Sequence, residues 1–168
     1  LSHYCDLHQN VISFENNGLF KIDNDSEIQF RAVSIKSNAP PYSKRRNKTQ
    51  PGDNIGLLIL NLKTGKSLFY APGLEVITDD LIEMMKNVDC VLVDGTVWEN
   101  NELIRIGVGK KTAKEMGHMP LSGDEGLLSY LNKMSKPRKI LVHINNTNPI
   151  LDEDSQEHAE LVKLGVEV

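Results

Sequence analysis

Residues 89–96 read "DCVLVDGT". Four apolar or near-apolar residues in a row, Cys90 to Val93, are too short for a helix. They suit a strand buried on both sides, as in a sheet with helices packed on it. Asp94, Gly95 and Thr96 then close the strand with polar turn residues. The segments on either side fit that frame. Upstream, Thr78 is a candidate N-cap with Asp79 and Asp80 in the first turn, and Leu81, Met84, Met85 and Val88 follow at helical spacing. Downstream, "KILVHI" (139–144) predicts another strand, and Ser155 predicts the cap of a last helix through Leu161 and Leu164, stopped by Gly165. "VEV" at the end predicts one more strand.

The order strand–helix–strand–helix–strand implies a layered α/β arrangement. Before it, "GLFKI" and "EIQFRAVSI" predict two strands. "NIGLLILNL" and "SLFYA", joined by "KTGK", predict a hairpin whose Thr-Gly pair supplies a positive φ. The polar stretch 37–53, with its prolines and the basic cluster Lys44, Arg45, Arg46 and Lys48, is a loop. Residues 99–121 look irregular. Ser122 with Glu125 forms an S-x-x-E capping box before Leu127, Leu128 and Leu131, which predicts a helix opening at Ser122.

Bulk properties narrow the function. The chain has 168 residues, 39% of them hydrophobic, and a net charge of −4. It is long enough for one cored domain, and its charge argues against a general nucleic-acid or anionic-membrane binder. Two cysteines, Cys5 and Cys90, with no CxxC pair, exclude a disulfide framework and suit a reducing cytoplasm. No apolar run reaches the ~18 residues of a membrane span, and no signal peptide is visible. The chain opens in "LSHYCDL" without Met and stops at "GVEV", so the expectation is a piece of a longer protein.

Polar clusters fall where α/β proteins place their sites, at the carboxyl ends of strands. Asp94 and Thr96 follow one strand, and His143 and Asn145 another. His118 lies in the loop "MGHMPLSG" before a helix. His143 reads either as a core histidine satisfied by a backbone carbonyl or as a metal ligand or acid–base group. Asp94 reads either as turn chemistry or as a functional carboxylate. Trp98 reads as a core anchor. His3, Cys5, Asp6 and His8 are ligand types without a partner cluster. No G-x-x-x-x-G-K-S/T phosphate loop and no G-x-S-x-G nucleophile motif occurs.

The segments "SNAPPYS", "YAPGLE", "DCVLVDGTVW", "GVGKKTAKEMGHMPLSG" and "KILVHINNTNPILDEDS" resemble, in one collinear order from about residue 30 onward, the carboxyl-terminal half of the PqqB family of pyrroloquinoline quinone (PQQ) biosynthesis. The resemblance implies a metallo-β-lactamase-like αββα sandwich. Residues 1–168 would form a single partial domain supplying its second half. It also implies roles. His143 matches the last metal-binding histidine at a strand end, His118 a site histidine before a helix, and Asp94 with Thr96 the acidic residue and threonine of the preceding loop. Asn145 and Asn146 would orient substrate or the groups around the metal. The main H-x-H-x-D-H-type motif is absent here and would lie upstream of Leu1. In "YAPGLE", Gly73 stands where related hydrolases carry a metal-bridging Asp.

A single divalent metal is therefore implied, iron rather than zinc, with this chain inactive by itself. The function implied is oxidative hydroxylation of a tyrosine-derived peptide precursor of PQQ. Two alternatives stay open: a non-catalytic carrier of PQQ or its precursor toward the periplasm, and a metal-dependent hydrolase. Partners beyond such a precursor, whether nucleic acid or membrane, are not expected.

Overall fold

The computed structural model describes residues 18–168 except 25, 40–42 and 45–47. The basic cluster's Arg45 and Arg46, and all of His3, Cys5, Asp6 and His8, lie outside the described residues.

Six strands form one sheet whose spatial order is their sequence order. β1 (Ile28–Ser34), β2 (Ile55–Asn61) and β3 (Ser67–Ala71) run antiparallel to their neighbours. β4 (Cys90–Asp94), β5 (Arg138–Val142) and β6 (Val166–Glu167) continue from β3 in parallel. A tight turn joins β2 to β3, where the expected Gly65 takes φ 67°, while β1 and β2 are joined by the longer segment 35–54. Parallel neighbours need crossovers. These are α1 (Asp79–Asn87) between β3 and β4, the short helices α2 (Glu102–Arg105), α3 (Ala113–Met116) and α4 (Leu127–Leu131) between β4 and β5, and α5 (Gln156–Leu164) before β6.

Strand residues alternate between faces. Leu58, Phe69, Val91, Val93 and Leu141 are buried against Leu81 and Met85 of α1, Leu127 and Leu131 of α4, and Leu161 of α5. Trp98 joins this core, as the sequence predicts. The other face carries Leu57, Leu92 and Ile140 in register, each only half-buried. β4 is thus covered on one side, not on both, because the described residues form a single sheet rather than the two of a sandwich. No helix among the described residues is long and apolar enough to cross a membrane.

Several predicted elements form where expected. The Thr78 hydroxyl accepts from Leu81 N–H, Ser155 accepts from His158 N–H, and Gly165 ends α5 in the left-handed region. Others differ. "GLFKI" contributes only an isolated bridge, Phe20 to Phe30, with the two rings stacked 5.6 Å apart. The box at Ser122 does not form. Its hydroxyl donates to the Trp98 carbonyl at 2.8 Å, and α4 starts at Leu127 with Gly126 as an N-cap lacking a side-chain bond. A Cβ on Gly126 would stand 2.2 Å from the Ser122 carbonyl oxygen, so the turn 122–126 needs glycine there. The capping box lies earlier: Thr112 accepts from Glu115 N–H, and the Glu115 carboxylate accepts from Thr112 N–H. It opens α3 inside the stretch expected to be irregular. β5 ends at Val142 instead of continuing through Ile144, because His143 turns to φ 58°.

Candidate metal and proton-handling site

Three loops meet at the carboxyl ends of β3 and β4 and beyond β5. Asp94 closes β4 and is 0% exposed. Its Oδ2 accepts from Leu74 N–H at 2.9 Å and from His118 Nδ1 at 2.6 Å. Its Oδ1 accepts from Thr96 N–H at 3.0 Å and faces the Thr96 hydroxyl at 2.5 Å. Four donors on two oxygens use the full acceptor capacity of a carboxylate. They also offset the cost of burying it.

That network assigns the protons on both imidazoles. Thr96 has one hydroxyl proton, and the short contact to Asp94 takes it, since two oxygens at that distance without a shared proton repel. Thr96 Oγ1 then acts as acceptor toward His143 Nδ1, 2.9 Å away. His118 Nδ1 donates to Asp94. Each ring therefore spends its Nδ1–H inward, and a neutral ring keeps a bare lone pair at Nε2. The two rings stack with centroids 5.1 Å apart and planes 21° from parallel.

Local folding explains the placement. His118 follows Gly117, the left-handed C-cap of α3 at φ 97°, and the Met119 N–H to Leu74 carbonyl bond ties this loop to the turn after β3. Gly95 N–H bonds Val142 O at 2.7 Å and Asn145 N–H bonds Thr96 O at 3.1 Å, so the loop after β5 is stitched to the loop after β4. A Cβ on Gly95 would press within 3.0 Å of Leu141 and Ile144, which is why that close approach takes glycine. His143 is the single described non-glycine residue at positive φ, the kind of backbone outlier that gathers at functional sites.

A cavity of about 220 Å³ opens over the histidines, lined by Ser37, Asn38, Asn54, Gly73, His118 and His143 among others. His143 has 54% of its side chain exposed, and His118 has 17%. The ring of His143 thus faces open space, not aliphatic neighbours. A larger cavity of about 550 Å³, walled by Ile35, Lys36 and Glu75, shares Ser37 and Asn38 with it. Gly73 lies beside His118, since a Cβ there would come 3.9 Å from the ring's Cε1, and it offers the cavity no carboxylate.

Ligand-type atoms of Asp94, His118 and His143 lie within 4.8 Å of one another. Proximity alone would make all three metal ligands. The saturated bonding of Asp94 argues otherwise. Its role here is that of a carboxylate orienting an imidazole, the arrangement that commonly stands behind metal-binding histidines.

Asp94, Thr96, His118 and His143 come together as the sequence suggests. Asn145 meets them through its backbone, Asn146 is exposed, and neither side chain lines the cavity. Two other residues shape the loop. Asn148 is 2% exposed, donates from Nδ2 to Gly95 O at 2.8 Å and accepts from Ile150 N–H. Its position before Pro149 was the available signal, for it caps the turn Pro149–Leu151. Glu102 is 1% exposed and had no signal, sitting in the stretch 99–121 that reads as irregular.

Residues 2–144 match the model of the beta-lactamase superfamily domain, and the chain belongs to that family. Among its relatives it is 54% identical over 149 residues to the coenzyme PQQ synthesis protein B of Acinetobacter baumannii (strain AYE), covering 89% of this chain and 49% of that protein. Its identity to the protein of the same name from Azoarcus sp. (strain BH72) is 50% over 169 residues, covering 100% of this chain and 55% of that one. The crystal structure of Zn(2+)-bound PqqB from Methylobacterium extorquens superposes with a TM-score of 0.81 at 34% identity, over 90% of this chain and 50% of that chain. A diphosphatase of the PhnP family shares the fold alone, with a TM-score of 0.54 at 14% identity over 91% of this chain and 43% of that one. The chain thus spans about half the length of the relatives it matches.

Proposed function

We propose that this chain carries the proton-handling pair and one metal-binding histidine of a cytoplasmic PQQ-biosynthesis protein. The complete protein inserts one oxygen atom of dioxygen into a tyrosine-derived peptide precursor, with one iron as the metal, and the second oxygen atom leaves as water with two electrons from an external reductant of the ascorbate or thiol class. The observation that carries this reading is geometric: two stacked imidazoles beside an open cavity, each with Nδ1 within hydrogen-bond distance of Asp94 or Thr96, which leaves Nε2 as the atom to bind metal or move a proton.

The residues present fit a divalent metal. Imidazole nitrogens suit iron and zinc alike, and carboxylate-backed histidines are the usual form of such ligands. Gly73 supplies no bridging carboxylate, which favours one metal over a bridged pair. The remaining ligands are those the resemblance places upstream of this sequence. When bound, iron supplies Lewis acidity and redox access to oxygen. The chain's own contribution is positional and protonic. His143 holds the metal. Asp94 fixes the His118 ring and stabilises it when protonated, so that His118 gives or takes a proton at Nε2. Thr96 locks the His143 tautomer. Asn145 shapes the loop, and the exposed Asn146 is left to meet substrate at the rim. The relatives' names and the zinc of the solved neighbour support the pathway and a divalent cation, and iron is our choice on the chemistry.

The test is metal loading of the complete protein under anaerobic conditions. One iron per chain, with oxygen uptake on a tyrosine-containing peptide, supports the proposal. Two zincs with phosphodiester turnover, or tight PQQ binding without any turnover, sinks it. Asp94→Asn, which sets an amide against the donors around it, lowers metal affinity or oxygen uptake by about 10–100-fold. Calorimetric titration with Fe(II) and an oxygen electrode read the two effects separately.

A further inference from the structure

Glu102 opens α2 and is buried to 1% exposure. Among the described residues no Lys, Arg or His is recorded against it. Its two oxygens reach different loops. Oε2 accepts from Trp98 N–H at 2.6 Å, in the segment that leaves Asp94 and Thr96. Oε1 accepts from the Thr147 hydroxyl at 2.7 Å, in the segment that leaves His143. A carboxylate buried without a cation is costly, and an apolar residue of similar size would fill the same space without that cost.

What the loop after β5 needs explains its presence. His143 sits at φ 58°, a conformation that persists only when its surroundings over-determine it. Thr96 Oγ1 meets His143, Asn145 N–H bonds Thr96 O, and Asn148 Nδ2 bonds Gly95 O, so each of these ties runs to residues 95–96. The Glu102–Thr147 bond ties the loop to a second support, a helix whose own first turn is anchored to Trp98.

We propose that Glu102 is a positioning residue. Through Thr147 it holds loop 143–148 where His143 Nδ1 reaches Thr96 Oγ1 and Nε2 is presented to the cavity. The value of this for metal binding rests on the reading of His143 given above, whereas its effect on the ring does not.

The experiment uses the ¹⁵N-labelled complete protein, which carries the upstream ligands, and two readouts: the His143 ring tautomer from long-range ¹H–¹⁵N spectra, and Zn(II) affinity by competition titration. Thr147→Val keeps the shape of the side chain and removes its hydroxyl. Expected is a second His143 tautomer beside the Nδ1–H form and a Zn(II) Kd weaker by about tenfold. Thr147→Ser restores both. Should Thr147→Val not fold, Thr147→Ala removes the same hydroxyl without its crowding and gives the same readouts. If the variant only lowers Tm, leaving the tautomer unmixed and the Kd within about twofold of the parent chain, the residue is structural and the proposal is overturned. If the parent chain binds no Zn(II), the metal reading fails, and the tautomer alone decides the role of Glu102: mixed in the variant supports it, unmixed overturns it.

Discussion

A histidine held at φ 58° bears a conformational cost that glycine would escape. His143→Gly and His143→Ala both delete the ring and its bond to Thr96, but only the alanine retains the backbone strain. The glycine variant should therefore be more stable than the alanine variant by about 1 kcal/mol in urea unfolding, an order that would reverse if the positive φ cost nothing. Asp94 and His143 are marked in the sequence as polar residues that close or interrupt apolar strand ends, whereas His118 takes its place from the family resemblance. Asn148 is marked only by the Pro149 after it, and Glu102 is not marked at all. Nothing near Glu102 in the chain marks it as buried, because the group it satisfies lies 45 residues on, at Thr147. Even for Asp94 the sequence leaves the role open. The four donors that occupy its oxygens come from residues 74, 96 and 118.

Helix starts show why a local pattern is not a local structure. Ser122-x-x-Glu125 and Thr112-x-x-Glu115 have the same form, and only the second caps a helix. The Ser122 hydroxyl is captured by the Trp98 carbonyl, a partner from another segment. Thr112 has no such competitor and caps α3, whose last residue leads through Gly117 to His118. Thr112→Ala should cost about 1 kcal/mol. It should also speed amide exchange at Gly117 and His118, because the turn carrying the site histidine loses its anchor. Bonds from the Thr112 backbone and side chain hold the Glu115 carboxyl below its ordinary value of 4.5. A group with a lowered folded-state pKa stabilises in full above its unfolded value and loses that contribution as pH falls through the folded one. The protection factor at His118, taken relative to the slower intrinsic exchange in acid, should thus fall on acidification below the ordinary glutamate range, and in Glu115→Gln that acid-dependent change should shrink.

At the scale of the molecule, the succession of strands and helices along the chain is readable from alternation, turn residues and caps, and the half-open face is not. An all-apolar strand reads as doubly covered, whereas Cys90 and Leu92 of β4 are only half-buried on the second side. Cys90 carries a testable mark of that face. Burial, only in part offset by the Arg138 guanidinium, raises its thiol above the ordinary value of 9.0. Less thiolate is then present at neutral pH, so iodoacetamide should label Cys90 more slowly than a free cysteine, with the rate still climbing where the free thiol has levelled off. Equal rates across the pH range would show a thiol that the fold does not perturb.

The sheet also grows in two tempos. Strands β2 and β3 zip together across the short turn 62–66, while β4 and β5 meet only after residues 95–137 have been threaded between them. Distant pairings are slow to find, since the closure entropy of the intervening chain comes before the contacts that reward it. Diluted out of urea, the protein should regain much of its circular dichroism while the His118 and His143 side chains still report an unformed pair, so renaturation judged by ellipticity would run ahead of recovered competence.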